Sequence, residues 1–566
     1  MKKKIFYITA LLSIVIGFTA CKKFLTEVPL DSPTTGNFFN SQGEMNVALT
    51  GVYNSINWDS GSLIPWQILF DQWTDIGVER TAGLAEGTYD VNNGNVSNVW
   101  TFAYTTIQRS NTLISGMEKG KANVAAGTYN TIQSEARVLR AFAYYHLVFM
   151  FGDVPLITKP LDIADYYTQS RTPKADIIKF LYKELDESAA NLAWVSSDRG
   201  RIGKAVALGL KARIALTNGD YDLAATTSKQ VMDNAGLGLN PNYQDLFTRA
   251  GQTTNAGKEI MFELLYSDAV VNSLNYIPLG QGSRNLGGQS GRFPTQRLVD
   301  IYEATDGKRI DESAVYDPAN PSKKRDKRLK YTVIMQGDTI TQNRATAVYE
   351  IYNTSTYFLD ATTNRYVLKT NNDFSNAFGP VKNGVGYLWA KYTFTYEDIN
   401  TPRVSWLFMR YAEVLLTYAE AKIESGQIDG TVINAINLLR KRASLPNVDP
   451  LIAADQNKMR QLIRRERTAE LGGEGFRWFD IRRWKIAELV MPGKVYGASK
   501  SASIVAATPN FKTSAITDLN NIPDYTTSAN QRFSRDMRYF MDKHYLFPVP
   551  QRERDLDKNL TQNLGW

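Results

Sequence analysis

Residues that commonly carry enzyme chemistry are scarce in this sequence. Its 566 residues include two histidines, His146 and His544, and one cysteine, Cys21. Histidine-based zinc sites and serine or cysteine triads depend on such residues, and His146 falls within an apolar helical pattern, where we expect a packed, hydrogen-bonded core residue. Hydrolysis by paired carboxylates stays open, because 57 acidic residues offer many pairs whose separation the sequence does not give.

The residues before Cys21 predict export. Lysines occupy positions 2–4, an apolar segment runs through positions 5–18, and the small residues Thr19 and Ala20 follow. This layout is typical of a secretory signal peptide, and the segment is shorter than the ~20 apolar residues that a membrane-spanning helix needs. We therefore expect residues 1–20 to be a cleaved signal peptide.

The sequence FTAC, residues 18–21, resembles the cleavage site of bacterial lipoproteins, although Phe18 stands where that pattern prefers leucine or another aliphatic residue. In such a site the cysteine sulfur receives a diacylglycerol, and cleavage then exposes an amine that takes a further acyl chain. Two or three chains anchor a protein firmly, at ~0.8 kcal/mol per buried CH₂. The resemblance implies lipidation of Cys21 and a mature chain that is anchored to a membrane without crossing it.

Composition predicts a folded protein with one large core. Hydrophobic residues make up 43% and charged residues 22% of the chain, close to globular averages, and a single cysteine allows no internal disulfide. The formal net charge of +8 falls to +5 without the lysines at positions 2–4, which does not favour nucleic acid as a partner. The basic run KKRDKRLK, residues 323–330, lacks interleaved aromatic residues, and we expect a solvated loop or helix end there.

Two glycine-rich stretches lack the spacing of phosphate-binding loops. GQGSRNLGG, residues 280–288, lacks the third glycine of the GxGxxG pattern, and GRIGKA, residues 200–205, lacks the spacing and hydroxyl residue of a P-loop. We interpret both as turns and predict no cofactor.

Hydrophobic periodicity predicts helices through most of the first half of the chain. In residues 129–150, apolar side chains recur every three to four positions and define one helical face. Residues 204–232 and 411–443 each predict a helix–turn–helix whose spacing resembles a tetratricopeptide unit. About 200 residues separate the two copies, so a long insertion must leave the helical scaffold and return to it.

The predicted fold is mainly α, with tetratricopeptide-type helix pairs and a loop-rich insertion that contains a few short strands, among them residues 259–266 and 331–336. We expect a single domain over residues 21–566. Its helical scaffold covers about 40–240 and 400–490, its insertion about 240–400, and its C-terminal segment 490–566.

The segment RRERTAELGGEGFRWFDIRRW, residues 464–484, predicts structural ion pairs. Its acids and arginines alternate closely enough to neutralise one another, and the planar guanidinium suits buried carboxylates. The residues that we expect to tie a helix end to its neighbours are Glu466, Glu470, Glu474, Arg477, Asp480 and Arg483.

Several motifs in the same order resemble the SusD/RagB family of outer-membrane nutrient-binding lipoproteins. They are CKKFLTEVPLDSPTTGNFF from Cys21, EARVLRAFAYYHLVFMFGDVPLIT at 135–158, RYAEVLLTYAEAK, the 464–484 segment and the ending HYLFPVPQRERDLDKNLTQNLGW. The resemblance covers essentially the whole chain. DKRLKYT, residues 326–332, departs from the family's DPRL-type segment because Lys327 replaces proline.

The resemblance implies a SusD-like lipoprotein exposed on the outer membrane. Such a protein binds an oligo- or polysaccharide and delivers it to a SusC-like TonB-dependent transporter without catalysing a reaction. In the family, the N-terminal loops and the central insertion form the site, where aromatic faces pack on sugar rings and polar groups fix the hydroxyls. The candidates that this implies are Trp58, Trp66, Trp73, Asp75, Arg80, Tyr89, Tyr276 and Arg284.

Other interpretations stay open. Trp66 and Trp73 lie on a possible helix, where they would be core residues. A peptide-capturing member of the same family would present acidic and amide groups in its cleft. A surface glycoside hydrolase would place two carboxylates about 5 to 10 Å apart there.

Overall fold

The computed structural model describes residues 38–59, 64–81, 83–266, 274–394, 398–502, 523 and 525–566. Cys21 and the predicted signal peptide, residues 1–20, lie outside the described residues. Within the described part of the chain, no helix combines the length and the apolar character that crossing a bilayer requires.

The fold is mainly α, as predicted. The helices, in chain order, are α1 Gln42–Ser55, α2 Leu69–Gln72, α3 Gly94–Gly116, α4 Ala126–Phe151, α5 Lys174–Ala189, α6 Lys204–Asn218, α7 Tyr221–Asn234, α8 Arg249–Asn255, α9 Ile277–Gln281, α10 Gln296–Ile301, α11 Lys327–Thr332, α12 Asn372–Ser375, α13 Tyr411–Glu424, α14 Gly430–Arg442, α15 Pro450–Ala453, α16 Gln456–Leu471, α17 Arg477–Arg483, α18 Ala487–Val490 and α19 Gln551–Leu556.

The strands are short. In chain order they are β1 Gly77–Glu79, β2 Ile260–Leu264, β3 Arg292–Pro294, β4 Val333–Ile334, β5 Thr339–Gln342, β6 Ala345–Val348, β7 Ser355–Asp360, β8 Arg365–Thr370, β9 Leu388–Trp389, β10 Trp406–Arg410, β11 Gly493–Ser499 and β12 Arg532–Arg538. Strands β5 to β8 form an antiparallel sheet in sequence order, and the others pair in twos.

The helical scaffold is a stack of neighbouring helices. Helices α3 to α7 pack successively against one another, and α13 then packs against α7, α14 and α16. The two predicted helix pairs, α6–α7 and α13–α14, are therefore neighbours in space although they are distant in sequence. Each pair turns through a left-handed glycine, Gly219 at φ 88° and Gly426 at φ 70°, a conformation that glycine adopts without a Cβ penalty.

The insertion is closed at its base by a strand pair. Strand β2 leaves the scaffold and β10 returns to it, and the two pair antiparallel from Ile260–Arg410 to Leu264–Trp406. Because β10 runs directly into α13, this pairing fixes the entry and exit of the insertion against the helices. A second hydrophobic core, which includes Phe293, Tyr349 and Trp389, lies under the loops between them.

His146 is a core residue, as predicted. It is 3% exposed, and its Nδ1 donates to the carbonyl oxygen of Phe142 at 2.9 Å. Its ring lies 4.7 Å from that of Phe142 and 4.8 Å from that of Trp58. Burial lowers the pKa of His146 to about 3, so the imidazole is neutral at physiological pH.

The basic run at 323–330 differs from the prediction of a solvated segment. Its four lysines are exposed, but Arg325 and Arg328 are buried. Arg325 donates to the carbonyl oxygens of Val299 and Tyr302 at 2.6 and 2.9 Å. The charge of the run alone does not show that these two arginines point inward while the lysines stay exposed.

Buried ion pairs organise the 464–484 segment, as predicted. Glu470 in α16 accepts hydrogen bonds from Arg328, Arg410 and Arg442, which come from three other elements. The guanidiniums together outweigh the cost of burying Glu470 and hold its pKa well below the ordinary value. The segment therefore joins the insertion to the helical scaffold through a charged but compensated core.

Candidate functional site

Four of the predicted ligand contacts lie in the interior instead of at the surface. Trp58, Trp66 and Trp73 are 0, 1 and 2% exposed, and the rings of Trp66 and Trp73 meet edge to face at 5.8 Å. Asp75 is buried and accepts two hydrogen bonds from Arg477 at 2.9 and 2.8 Å. These side chains stabilise the fold, and we do not retain them as ligand contacts.

The two predicted tyrosines are partly exposed. Tyr89 packs against the C-terminal residues, with its ring 5.4 Å from His544 and 5.1 Å from Trp566. Tyr276 packs against the main core immediately before α9. Ligand contact by either tyrosine stays a prediction.

Arg80 and Arg284 are brought together although about 200 residues separate them. Both guanidiniums donate to the carbonyl oxygen of Gln289, Arg80 at 2.7 Å. Both also lie near the ring of Phe378, at 5.3 and 5.9 Å from its centroid. Phe378 is 55% exposed. We call Arg80, Arg284 and Phe378 the arginine–phenylalanine platform.

Backbone pairing places Arg80 at the platform. Strands β1 and β3 pair antiparallel from Gly77–Pro294 to Glu79–Arg292. The next residue, Arg80, continues this pairing by donating its N–H to the carbonyl oxygen of Gly291 at 2.9 Å. Arg535 donates to the carbonyl oxygen of Arg80 at 2.7 Å, which joins the N-terminal part of the chain to the C-terminal segment at this point.

The buried carboxylate of Asp373 holds the segments that carry Arg284 and Phe378 close together. Asp373, in the short helix α12 before Phe378, accepts hydrogen bonds from the Ser283 hydroxyl at 2.5 Å, the Arg284 N–H at 2.7 Å and the Asn285 amide at 2.8 Å. Burial raises the pKa of Asp373 to about 6 despite these donors. The carboxylate thus fastens the 283–285 turn to the segment that carries Phe378.

The platform is cationic. Burial lowers the pKa of Arg80, and the neighbouring Arg292 and Arg535 guanidiniums add to this shift. Burial and the Arg80 charge likewise lower the pKa of Arg284. Within the described ranges, neither Arg80 nor Arg284 forms an ion pair with a carboxylate, and the Nε of Arg284 has no hydrogen-bond partner. The platform therefore offers an apolar ring beside two guanidiniums that form no ion pair with a carboxylate among the described residues.

Phe378 was missed by sequence reasoning. Its signal is an aromatic residue in the Asn- and Gly-rich stretch NNDFSNAFGPVKNG, within the insertion. Such an aromatic residue in a polar loop is a candidate for binding, but Phe374 in the same stretch is partly buried, and the sequence does not distinguish the two.

No cluster of three or more His, Cys, Asp and Glu side chains with the arrangement of a metal site occurs among the residues that the structure describes.

The architecture is that of a stacked-helix protein whose insertion carries a cationic aromatic surface. Comparison with known proteins agrees with this class. A family model described as "SusD family" matches residues 242–566, and a model described as "Starch-binding associating with outer membrane" matches residues 26–216. The chain therefore belongs to the SusD family.

Similar proteins cover nearly the whole chain. SusD-like protein P2 of Formosa agariphila is 29% identical over 516 residues, which are 87% of this chain and 92% of that protein. The crystal structure of a SusD-like carbohydrate binding protein from Bacteroides fragilis superposes with a TM-score of 0.76 at 26% identity, covering 93% of this chain and 100% of that one. A laminarin binding SusD-like protein shares the fold, with a TM-score of 0.62 at 19% identity over 93% and 100% of the two chains.

Proposed function

We propose that this protein is a non-catalytic, lipid-anchored outer-membrane protein of the cell surface that binds an oligo- or polysaccharide at the arginine–phenylalanine platform. The proposal includes delivery of the glycan to a partner SusC-like TonB-dependent transporter. The observation that carries it is the exposed ring of Phe378 close to two guanidiniums that form no ion pair among the described residues.

The platform suits a sugar because a pyranose combines an apolar C–H face with hydroxyl groups at its edge. The Phe378 ring offers apolar surface, and Arg80 and Arg284, whose guanidiniums lie over that ring, supply hydrogen-bond donors beside it. Side chains held by β1–β3 pairing and by Asp373 lose little conformational freedom when a ligand binds. The platform is thus preorganised for a glycan.

Relatives support the ligand class. The similar Bacteroides fragilis protein is described as carbohydrate binding, and the family model over residues 26–216 is described as starch-binding and associated with the outer membrane. An anchor at Cys21 is consistent with that location and is part of the proposal.

Affinity electrophoresis of the purified mature protein through gels containing starch, laminarin or other glycans tests the proposal, with a peptide mixture as a parallel ligand. We expect retardation by at least one glycan and no release of reducing ends during prolonged incubation. Peptide binding without any retardation by glycans favours the peptide-capturing alternative. Release of reducing ends identifies a hydrolase and rejects the non-catalytic function.

A further inference from the structure

A cavity of about 620 Å³ shares no residue with the platform. It lies where the ends of α4, α6 and α17 meet the C-terminal segment, and it is lined by apolar and aromatic side chains that include Phe149, Leu216, Tyr221 and Phe479. A volume of this size is typical of small-ligand sites. The proposed binding of a glycan at the platform does not involve this cavity.

The side chains that line this cavity carry more positive than negative charge. Lys174, Arg482, Lys485 and Lys543 line it, and within the described chain none of these four cations forms an ion pair. The carboxylate in the lining is that of the exposed Asp542. A fifth cation, Arg483, also lines the cavity but is neutralised elsewhere, because it bonds Glu420 and Asp480.

Aromatic rings hold each of the four cations. The Arg482 guanidinium lies 3.8 Å from the ring centroid of Trp478. The ammonium groups of Lys485, Lys543 and Lys174 lie 4.2, 4.3 and 4.4 Å from the rings of Tyr545, Trp566 and Phe149 respectively. A cation–π contact orients a cation without cancelling its charge. The four charges are therefore held in place and remain available to an anion.

One of the four cations, Arg482, has an incomplete set of hydrogen-bond partners among the described residues. It donates to the carbonyl oxygens of Trp478 and His544, both at 3.2 Å, while its buried Nε lacks a hydrogen-bond partner among the described residues. Burial lowers the pKa of Arg482 to about 9. Burial and the charge of Lys485 also lower the pKa of Lys174, so these two lysines repel each other. A bound anion would relieve this repulsion.

We propose that this cavity is a second ligand site, which binds a saccharide unit carrying a carboxylate or a sulfate group. The cations supply charge-assisted hydrogen bonds to the anionic group, and the apolar lining packs on the ring that bears it. The site goes beyond the proposed platform function and does not depend on it.

Isothermal titration of the mature protein with tetragalacturonate, a chondroitin sulfate tetrasaccharide and neutral maltotetraose tests this proposal. We expect at least one acidic probe to bind more tightly than maltotetraose, with an affinity that falls several-fold as NaCl rises from 50 to 500 mM. The tighter of the two acidic probes identifies the anion as carboxylate or sulfate. Failure of both acidic probes to exceed maltotetraose, or an affinity that is insensitive to salt, overturns the proposal without requiring any variant.

A double variant locates the binding. Lys485→Gln with Lys543→Gln removes two charges at the cavity and keeps an unbranched polar side chain at each position. A non-glycine residue already occupies the positive φ of 56° at position 485, so the substitution adds no backbone strain there. We expect the affinity for the acidic probe to fall at least about tenfold. The control, Lys441→Gln with Lys458→Gln, removes two charges from exposed positions on α14 and α16 and leaves the affinity unchanged.

An equal loss in both double variants overturns the assignment to this cavity. Phe378→Ala leaves binding of the acidic probe unchanged, so failure of the cavity and failure of the platform are distinguishable.

Discussion

At the platform, the position of an exposed ring depends on a carboxylate in the interior. Asp373 is fully buried and satisfies donors from three consecutive residues, Ser283, Arg284 and Asn285. The Asn285 amide oxygen in turn accepts the N–H of Asn372 at 2.7 Å. These bonds hold two loops that are far apart in sequence in a fixed relative position, so Phe378 stays beside Arg284.

Asp373→Asn tests this positioning role. The substitution places an amide NH₂ among donors, and we expect the loss of one or two buried hydrogen bonds to lower the free energy of unfolding by about 1–3 kcal/mol. Glycan affinity should fall as well, because Arg284 is no longer fixed. Urea unfolding and isothermal titration measure the two effects.

Asp360→Asn is the matched control, since Asp360 also accepts backbone N–H groups in the insertion, at 2.9 and 3.3 Å, but in an exposed turn. We expect little change in either measurement. Reduced stability of Asp373→Asn with unchanged glycan affinity would show that Asp373 does not position the platform.

The side chains facing solvent were the least predictable from sequence. Arg80 and Arg284 were predicted and lie together at the platform, whereas Trp58, Trp66 and Trp73 were also assigned to the site and lie in the core. The sequence around a tryptophan does not distinguish a ligand-binding residue from a core residue. The packing of α2, α3 and the C-terminal segment is what buries these side chains. Phe378 was missed for the same reason.

Among the helices, Glu420 shows how the scaffold is joined. It lies in α13 and accepts hydrogen bonds from Arg483 at 2.6 and 2.7 Å and from the Trp484 indole at 2.6 Å. Burial alone would raise the pKa of Glu420, but the Arg483 guanidinium outweighs it, with help from Arg467 in α16, and lowers the pKa to about 2. One carboxylate therefore connects α13 to α16 and α17.

Glu420→Gln should lower the free energy of unfolding by about 3–5 kcal/mol at pH 7, because Arg483 keeps its charge and loses an anionic partner. The folded-state pKa of Glu420 lies below the unfolded value of 4.5, so its contribution is complete above that value and is lost as pH falls towards 2. In urea unfolding, the difference in the free energy of unfolding between wild type and Glu420→Gln should therefore become smaller as pH falls from about 4.5 towards 2.

Glu187→Gln is the control for this measurement. Glu187 pairs with Arg137 at 3.0 Å, but its side chain is 49% exposed, and such pairs contribute about 0–1 kcal/mol. A pH-independent penalty for Glu420→Gln would contradict the electrostatic explanation.

The helical elements were largely predictable, because local periodicity and turn glycines determine them. The pairs at 204–232 and 411–443 and the ion pairs of 464–484 were predicted and are present. Packing of α7 on α13 and the β2–β10 pairing at the base of the insertion were not predicted. These contacts join segments that are more than 100 residues apart, and neither hydrophobic spacing nor charge pattern encodes such a partner.

For the whole molecule, the proposed function requires the binding face to stay at the membrane. The family model over residues 26–216 is described as associating with the outer membrane, and Cys21 is the single cysteine of the chain. The proposed anchor at Cys21 would hold the protein, and with it the platform, at the membrane.

Cys21→Ser should abolish incorporation of an alkyne-labelled fatty acid and release the protein from the membrane fraction, because the thiol that takes the lipid is absent. Click labelling after expression in a Gram-negative host, with fractionation, measures both. Lys23→Ala, two residues away, should keep the label. Labelling that persists in Cys21→Ser would contradict the anchor assignment.

The central claim is that glycan binding depends on the arginine–phenylalanine platform. The most direct test is isothermal titration of the retarding glycan against wild type, Phe378→Ala and Tyr357→Ala. Tyr357, on β7, is 52% exposed, similar to the 55% of Phe378, and lies outside the platform. We predict that Phe378→Ala weakens binding at least about tenfold, or 1.4 kcal/mol, while Tyr357→Ala does not. Equal affinity of wild type and Phe378→Ala would contradict the account.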